Sequence, residues 1–325
     1  MTKGWQRSYR HTRTGQRSAS LRELYQWCSG EERELSGEFF ARYPAGRGTG
    51  DLTPFAGILQ EPGPLHDVAP DGRCADLRQC LIDALDESLT SAGGVDIAVS
   101  GGIDLAVSGG IDCWLLAALL RSRGYGVRGW YLESGVPGYC ERQQVQSMAA
   151  ALDIPCRYVR VTAADFVESL EEFLTALETP IYNLHPVSKW LLAQRLRKEG
   201  VATLVTGDGA DQVMRREWDC DLLPLTLTCF RHAGIRLVLP FTDRRVIAFC
   251  REPFPDKRPV RELARQLGVP EAAKHATLFP PAPLPGMQSL PGIEAGDDRA
   301  DCLSYTTGLL VRVLEGHRQC VGSRA

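Results

Sequence analysis

From Asp76 onward the hydrophobic positions follow two periods in turn. Asp76 to Ser91 places Leu77, Leu81, Ile82, Leu85 and Leu89 along one side of a helix. Short β-branched runs then alternate with helical stretches. Val95 to Val107 reads as strand, Cys113 to Arg123 as helix, Val127 to Leu132 as strand and Glu141 to Leu152 as helix. Arg157 to Val161 is again strand, Ala164 to Leu177 and Val187 to Glu199 are helical, and Ala202 to Thr206 is strand. Strands alternating with helices predict an α/β fold, a parallel sheet flanked by helices on both faces. Ligands of such sheets bind beyond the carboxyl ends of the strands. Past Asp211 the pattern is mostly helical, with a Pro-rich connection at Phe279 to Gly292 and a last helix near Cys302 to Leu314.

The same pattern divides the chain. Residues 1–75 form a short, irregular N-terminal segment, with one or two short helices in Leu21 to Tyr43 and a loop-like Pro44 to Asp71. Residues 76–279 hold the α/β domain, and 280–325 the Pro-rich connection and C-terminal helix. Composition narrows the class: 44% hydrophobic and 24% charged residues are ordinary globular values. No apolar run approaches the ~20 residues needed to cross a bilayer. The N-terminus has no apolar signal core, so the expectation is a cytoplasmic protein with reduced thiols. The eleven cysteines contain no C-x-x-C pair, which argues against a structural metal and against disulfides. A net charge of -3 gives no basic field for nucleic acid. Met1 to Arg22, with Lys3, Arg7, Arg10, Arg13, Arg17 and Arg22 and no acid, reads as an RNA-binding arm or as a frayed, solvated terminus.

The strongest chemical signal is Ser108-Gly109-Gly110-Ile111-Asp112, between a strand and the apolar helix. Two glycines let backbone N–H groups crowd an anion, the helix start adds its positive dipole end, and Ser108 adds a hydroxyl. The loop lacks the lysine of a Walker sequence. An aspartate beside phosphates repels them unless Mg²⁺ intervenes, so Asp112 reads as a metal ligand or, more plainly, as a helix N-cap.

This loop, with Cys113 at a position usually held by serine, resembles the pyrophosphate (PP) loop of the N-type ATP pyrophosphatases, whose fold is adenine nucleotide alpha hydrolase-like. Val205-Thr206-Gly207-Asp208-Gly209-Ala210-Asp211-Gln212 resembles the G-E-G-[SA]-D-E block of asparagine synthetases, β-lactam synthetases and lasso-peptide cyclases. Leu239 to Arg245 is similar to their P-F-L-D segment, and Lys257 to Arg261 followed by Lys274 to their closing lysine region. The resemblance implies an ATP-dependent, amide-bond-forming ligase that adenylates a small carboxylate with release of pyrophosphate, then passes the acyl group to ammonia or an amine with release of AMP. ATP and Mg²⁺ are the implied cofactors. Ser108, Gly109, Gly110, Asp112 and Gly207 would bind ATP, and Asp112 and Asp211 would hold the metal. Lys274 would neutralise charge at the α-phosphate, its plainer reading being a surface lysine. Asp208 would act as a base if burial raised its pKa, or is a turn residue. Asp211 is otherwise a helix-starting carboxylate, and His185 and Lys189 are candidates for the acceptor pocket.

Position 2 is Thr2, and too few residues precede the synthetase-like region for a glutaminase domain. Nitrogen would then come from ammonia, from a separate glutaminase, or from an amine on a biosynthetic or carrier-bound intermediate. Gln212 and Met214-Arg215-Arg216 depart from the family pattern and point to natural-product biosynthesis. The partners expected are small molecules, with no membrane or nucleic acid and with homo-oligomers open. The alternatives are a tRNA- or sulfur-modifying enzyme of the same loop class, or a degenerate nucleotide-binding regulatory subunit.

Ile97 to Asp104 and Leu105 to Asp112 are tandem copies of one octapeptide, differing at one position. If the first copy made the loop, Gly109 and Gly110 would sit inside the next helix at a cost of about 1 kcal/mol each. The second copy is therefore expected to be functional and Ser100 to Asp104 to be a strand extension or bulge.

Overall fold

Pairing in the front segment is antiparallel and short. The computed structural model describes residues 8–43, 49–61, 76–90, 103–135, 140–216, 222–271 and 298–316. Here β1 (Tyr9–His11) lies between β2 (Arg17–Ser18) and β3 (Ile58–Gln60), with α1 (Leu21–Trp27) and α2 (Gly37–Arg42) in the chain between the last two. The segment expected to be irregular thus carries its own three-stranded sheet. Strands of two or three residues are too short to show a period in the sequence. Arg13 and Arg17 of the basic stretch are ion-paired to Glu32 and Glu61.

The main domain runs α3 (Leu77–Thr90), β4 (Ile103–Val107), α4 (Ile111–Ser122), β5 (Val127–Ser134), α5 (Arg142–Ala151), β6 (Cys156–Val161), α6 (Ala163–Leu177), α7 (His185–Lys198), β7 (Thr203–Val205), α8 (Ala210–Arg215), α9 (Leu222–His232), β8 (Arg236–Val238), α10 (Arg244–Phe249) and α11 (Arg258–Gln266). The five strands are parallel in the order β6-β5-β4-β7-β8. Chain direction across the sheet reverses between β4 and β7, and that switch point opens a crevice at the strand ends. β8 interrupts the region read as mostly helical; its Arg-Leu-Val is again too brief to announce itself.

Strand parity sorts side chains into two cores. Leu105, Val107, Val127 and Tyr131 face a layer built from α3, α4, α5 and α11. Ala106, Trp130, Leu132 and Val159 face α6, α7 and α9. α4 is buried on almost every side, Ile111 and Cys113 to Leu120 all being in the core. α12 (Asp298–Leu314) packs on α6, and its Leu310 and Leu314 close the small core of the front segment with Tyr9, Tyr25 and Phe55. Glu178, in a left-handed C-cap conformation, accepts hydrogen bonds from Ser20 Oγ at 2.9 Å and from the N–H groups of Leu21 and Arg22 at 2.6 and 3.3 Å. One carboxylate so ties the start of α1 to the end of α6.

The expectation of reduced thiols throughout needs correction: Cys80 is disulfide-bonded. Cys28, Cys113, Cys140, Cys156, Cys229, Cys250 and Cys302 are free. No helix among the described residues is long and apolar enough to cross a membrane.

Candidate active site

A cavity of about 370 Å³ opens at the carboxyl ends of β4 and β7, where the chain forms the glycine loop and the start of α8. The second copy of the octapeptide makes that loop. Ile103 and Asp104, the end of the first copy, lie within β4, where Asp104 accepts from Arg128 Nε at 2.7 Å and Trp130 Nε1 at 2.6 Å. Ser100 to Gly102 lie outside the described residues.

The loop is held by its own neighbours. Trp114 Nε1 donates to the Ser108 carbonyl at 2.7 Å, Gly110 N–H to Ser108 Oγ at 3.2 Å, and Gly109 N–H to Glu141 Oε2 at 2.9 Å. Gly110 is the N-cap of α4 and no side chain caps that helix. Its first turn, which carries no side-chain cap among the described residues, thus brings Asp112 and Cys113 to the lining of the crevice. The burial-raised thiol of Cys113, pushed up to about 12, stays protonated and bonds within the loop to the Gly110 carbonyl.

Gly207 lets β7 end against this loop, since a Cβ there would lie 2.8 Å from the Cys113 backbone nitrogen. Gly209 has φ +94° and caps α8, a conformation that disfavours other residues. Asp112 and Asp211 are each the second residue of their helices, so neither is the N-cap. Their carboxylates meet on one cation: Lys257 Nζ lies 2.6 Å from Asp112 Oδ2 and 2.9 Å from Asp211 Oδ2. Lys257 is 7% exposed and enters α11 in a left-handed conformation, φ +53°. Burial raises the Asp112 carboxyl above its ordinary range, Lys257 opposing and Asp211 adding to the shift. Asp112 Oδ1 is buried and accepts no hydrogen bond among the described residues. Arg215 adds a further cation, 3.3 Å from Asp211.

On the far wall, Lys189 grips Asp208 at 2.8 and 3.0 Å, and Thr206 Oγ donates to the same carboxylate at 2.7 Å. Burial pushes Asp208 up, but Lys189, Thr206 and His185 outweigh it and hold the carboxyl below its usual value. This corrects the reading of Asp208 as a base with a raised pKa: it is an ionised, already paired carboxylate. His185 is driven down to about 4 by burial and then by Lys189, so its ring is neutral.

The crevice brings together Ser108, Gly110, Asp112, Gly207, Asp208 and Asp211, with His185 and Lys189 in its wall; Gly109 is not among its lining residues. Lys274 lies outside the described residues. Two contributors carried little or no local signal. Lys257 stood only as the first residue of the Lys257 to Arg261 block that resembles the family's closing lysine region, and Glu141 sits 32 residues from the glycine it holds.

Residues 76–215 match the family model described as Asparagine synthase. No curated protein matches the chain. Among solved structures, NMN synthetase from Francisella tularensis is 16% identical, with a TM-score of 0.37, over 76% of this chain and 97% of that one. Over residues 76–215 the chain thus carries an asparagine synthase-like domain.

Proposed function

We propose that the protein is an amide-forming ligase that cleaves ATP to AMP and pyrophosphate, acting in natural-product biosynthesis. An oxygen of the acid substrate attacks the α-phosphorus and the bond to the bridging oxygen of pyrophosphate breaks. The lone pair of neutral ammonia or a neutral amine then attacks the acyl carbon, the bond to the oxygen of AMP breaks so that AMP leaves, and the proton lost by the nitrogen passes to solvent. The observation that most supports this is the pair Asp112 and Asp211, converging on one ammonium beside an uncapped helix start at the sheet's switch point.

The donor set suits a hard dication. Asp112 Oδ1 takes no hydrogen bond among the described residues and Asp211 is 47% exposed, so both have carboxylate oxygen to offer. Mg²⁺ held by these two residues would neutralise charge on the departing pyrophosphate. The N-terminal N–H groups of α4 and the Ser108 hydroxyl bind phosphate oxygens, and Lys257 supplies positive charge beside them. Lys274 is proposed to stabilise charge at the α-phosphate. Asp208, ionised, would attract the cationic form of the nitrogen donor, which must lose a proton to solvent before its lone pair can attack.

Incubation with ATP, Mg²⁺, candidate acids and amines should give AMP and pyrophosphate, read by chromatography and by ATP–pyrophosphate exchange. ADP as the sole nucleotide product would reject the reading. Asp104→Asn should keep this activity, because the carboxylate serves Arg128 and Trp130 in the strand and not the crevice. The cost should be confined to about 1–2 kcal/mol of stability. Loss of AMP formation in a folded Asp104→Asn protein would reassign the loop to the first copy.

A further inference from the structure

A second cluster of ligand-type side chains lies in the front segment, away from the crevice. His11 of β1, Cys28 just after α1 and Glu32 of the following 3-10 turn bring Nε2, Sγ and a carboxylate oxygen within 4.8 Å of one another. His11 and Cys28 are 2% and 3% exposed. Among the described residues His11 Nε2 makes no hydrogen bond, and Glu32 Oε1 lies 3.7 Å from it. A buried imidazole nitrogen aimed at a thiol and a carboxylate, with no bond of its own, is costly unless something occupies the space between them. We propose that His11, Cys28 and Glu32 bind a zinc-type divalent cation that staples β1, the end of α1 and the 3-10 turn together.

The donors are those zinc prefers: one imidazole, one thiolate and one carboxylate, with a fourth position for water. Ligands bound tetrahedrally at ~2.0–2.3 Å stand about 3.3–3.6 Å apart, close to the 3.7 Å already separating the histidine and glutamate atoms. Glu32 is pre-oriented, because Ser29 N–H holds its other oxygen, Oε2, at 3.0 Å. Two contacts must yield. Arg13 now lies 3.0 Å from Glu32 Oε1, but its side chain is 71% exposed and can turn to solvent. Thr14 N–H sits 3.2 Å from His11 Nδ1, which places the neutral ring's proton on Nε2. Metal at Nε2 moves that proton to Nδ1 and displaces the exposed turn at Thr14.

The test uses the full-length protein, stripped with chelator and titrated with Co²⁺ as a spectroscopic probe, with Zn²⁺ as competitor. One equivalent should produce a near-ultraviolet thiolate-to-cobalt band together with visible bands of tetrahedral intensity, and Zn²⁺ should displace both. Cys28→Ser should abolish the thiolate band, which also separates this thiol from the other free cysteines. His11→Gln and Glu32→Gln should each weaken binding at least about 10-fold. No thiolate band in the wild type, or an undiminished band in Cys28→Ser, would overturn the proposal. If Cys28→Ser does not fold, as judged by circular dichroism, the near-isosteric Glu32→Gln decides, and unchanged cobalt affinity in that variant counts against the site.

Discussion

Asp112→Asn should lose at least about 100-fold of the AMP-forming rate while melting at the same or a higher temperature at pH 7. The rate loss follows from removing one of two carboxylates proposed to serve the leaving pyrophosphate. The stability gain follows from the direction of the pKa shift. Asp112 is held above the ordinary carboxylate range in the folded chain, mainly by burial. As pH rises from the unfolded value toward the folded one, the folded state binds more protons than the unfolded state, so stability falls through that window. At neutral pH the charge is already a burden on folding, partly offset by Lys257, and asparagine removes it while keeping an acceptor for Nζ. The variant should also lose this acid-side slope in a plot of melting temperature against pH. A protein that melts well below wild type and loses activity in proportion would mark Asp112 as a structural residue. A residue that costs stability and supports turnover is the pattern expected of an active site.

Lys257→Ala should do the opposite to stability and the same to rate. Removing it leaves Asp112 buried with a like charge close by, and an ion pair broken on one side costs about 3–5 kcal/mol. The lower end applies here, since Asp211 is 47% exposed and water screens it. A fall of several degrees in melting temperature and near-complete loss of AMP formation are expected. The double variant Lys257→Ala/Asp112→Asn should recover most of the stability and none of the rate. If the double variant melts as low as Lys257→Ala, the lysine is holding α11 in place by packing rather than by charge.

What the sequence determined by itself is the alternation of strand and helix from α3 to α8, the glycine loop, and the placing of Asp112 and Asp211 at helix starts. Each of these is written in contiguous residues: a period of apolar positions, a pair of glycines, an aspartate in the first turn of a helix. It also singled out the second octapeptide copy, because two glycines inside α4 would weaken it, and β4 does end just before Ser108. The roles of partners far apart in the chain were decided only by the tertiary structure. Lys257 reaches Asp112 across 145 positions, and which lysine arrives there depends on how α11 packs against α4. Asp208 looked like a base as long as burial alone was weighed. The folded chain set Lys189 and Thr206 on it and reversed the sign. The strands of the front sheet, two or three residues each, carry no period to read, and Tyr9 and Ile58 on two of them share one small core with Leu310 and Leu314 of α12. His11, Cys28 and Glu32 follow no ligand spacing along the chain and became neighbours only when β1 folded against the turn after α1.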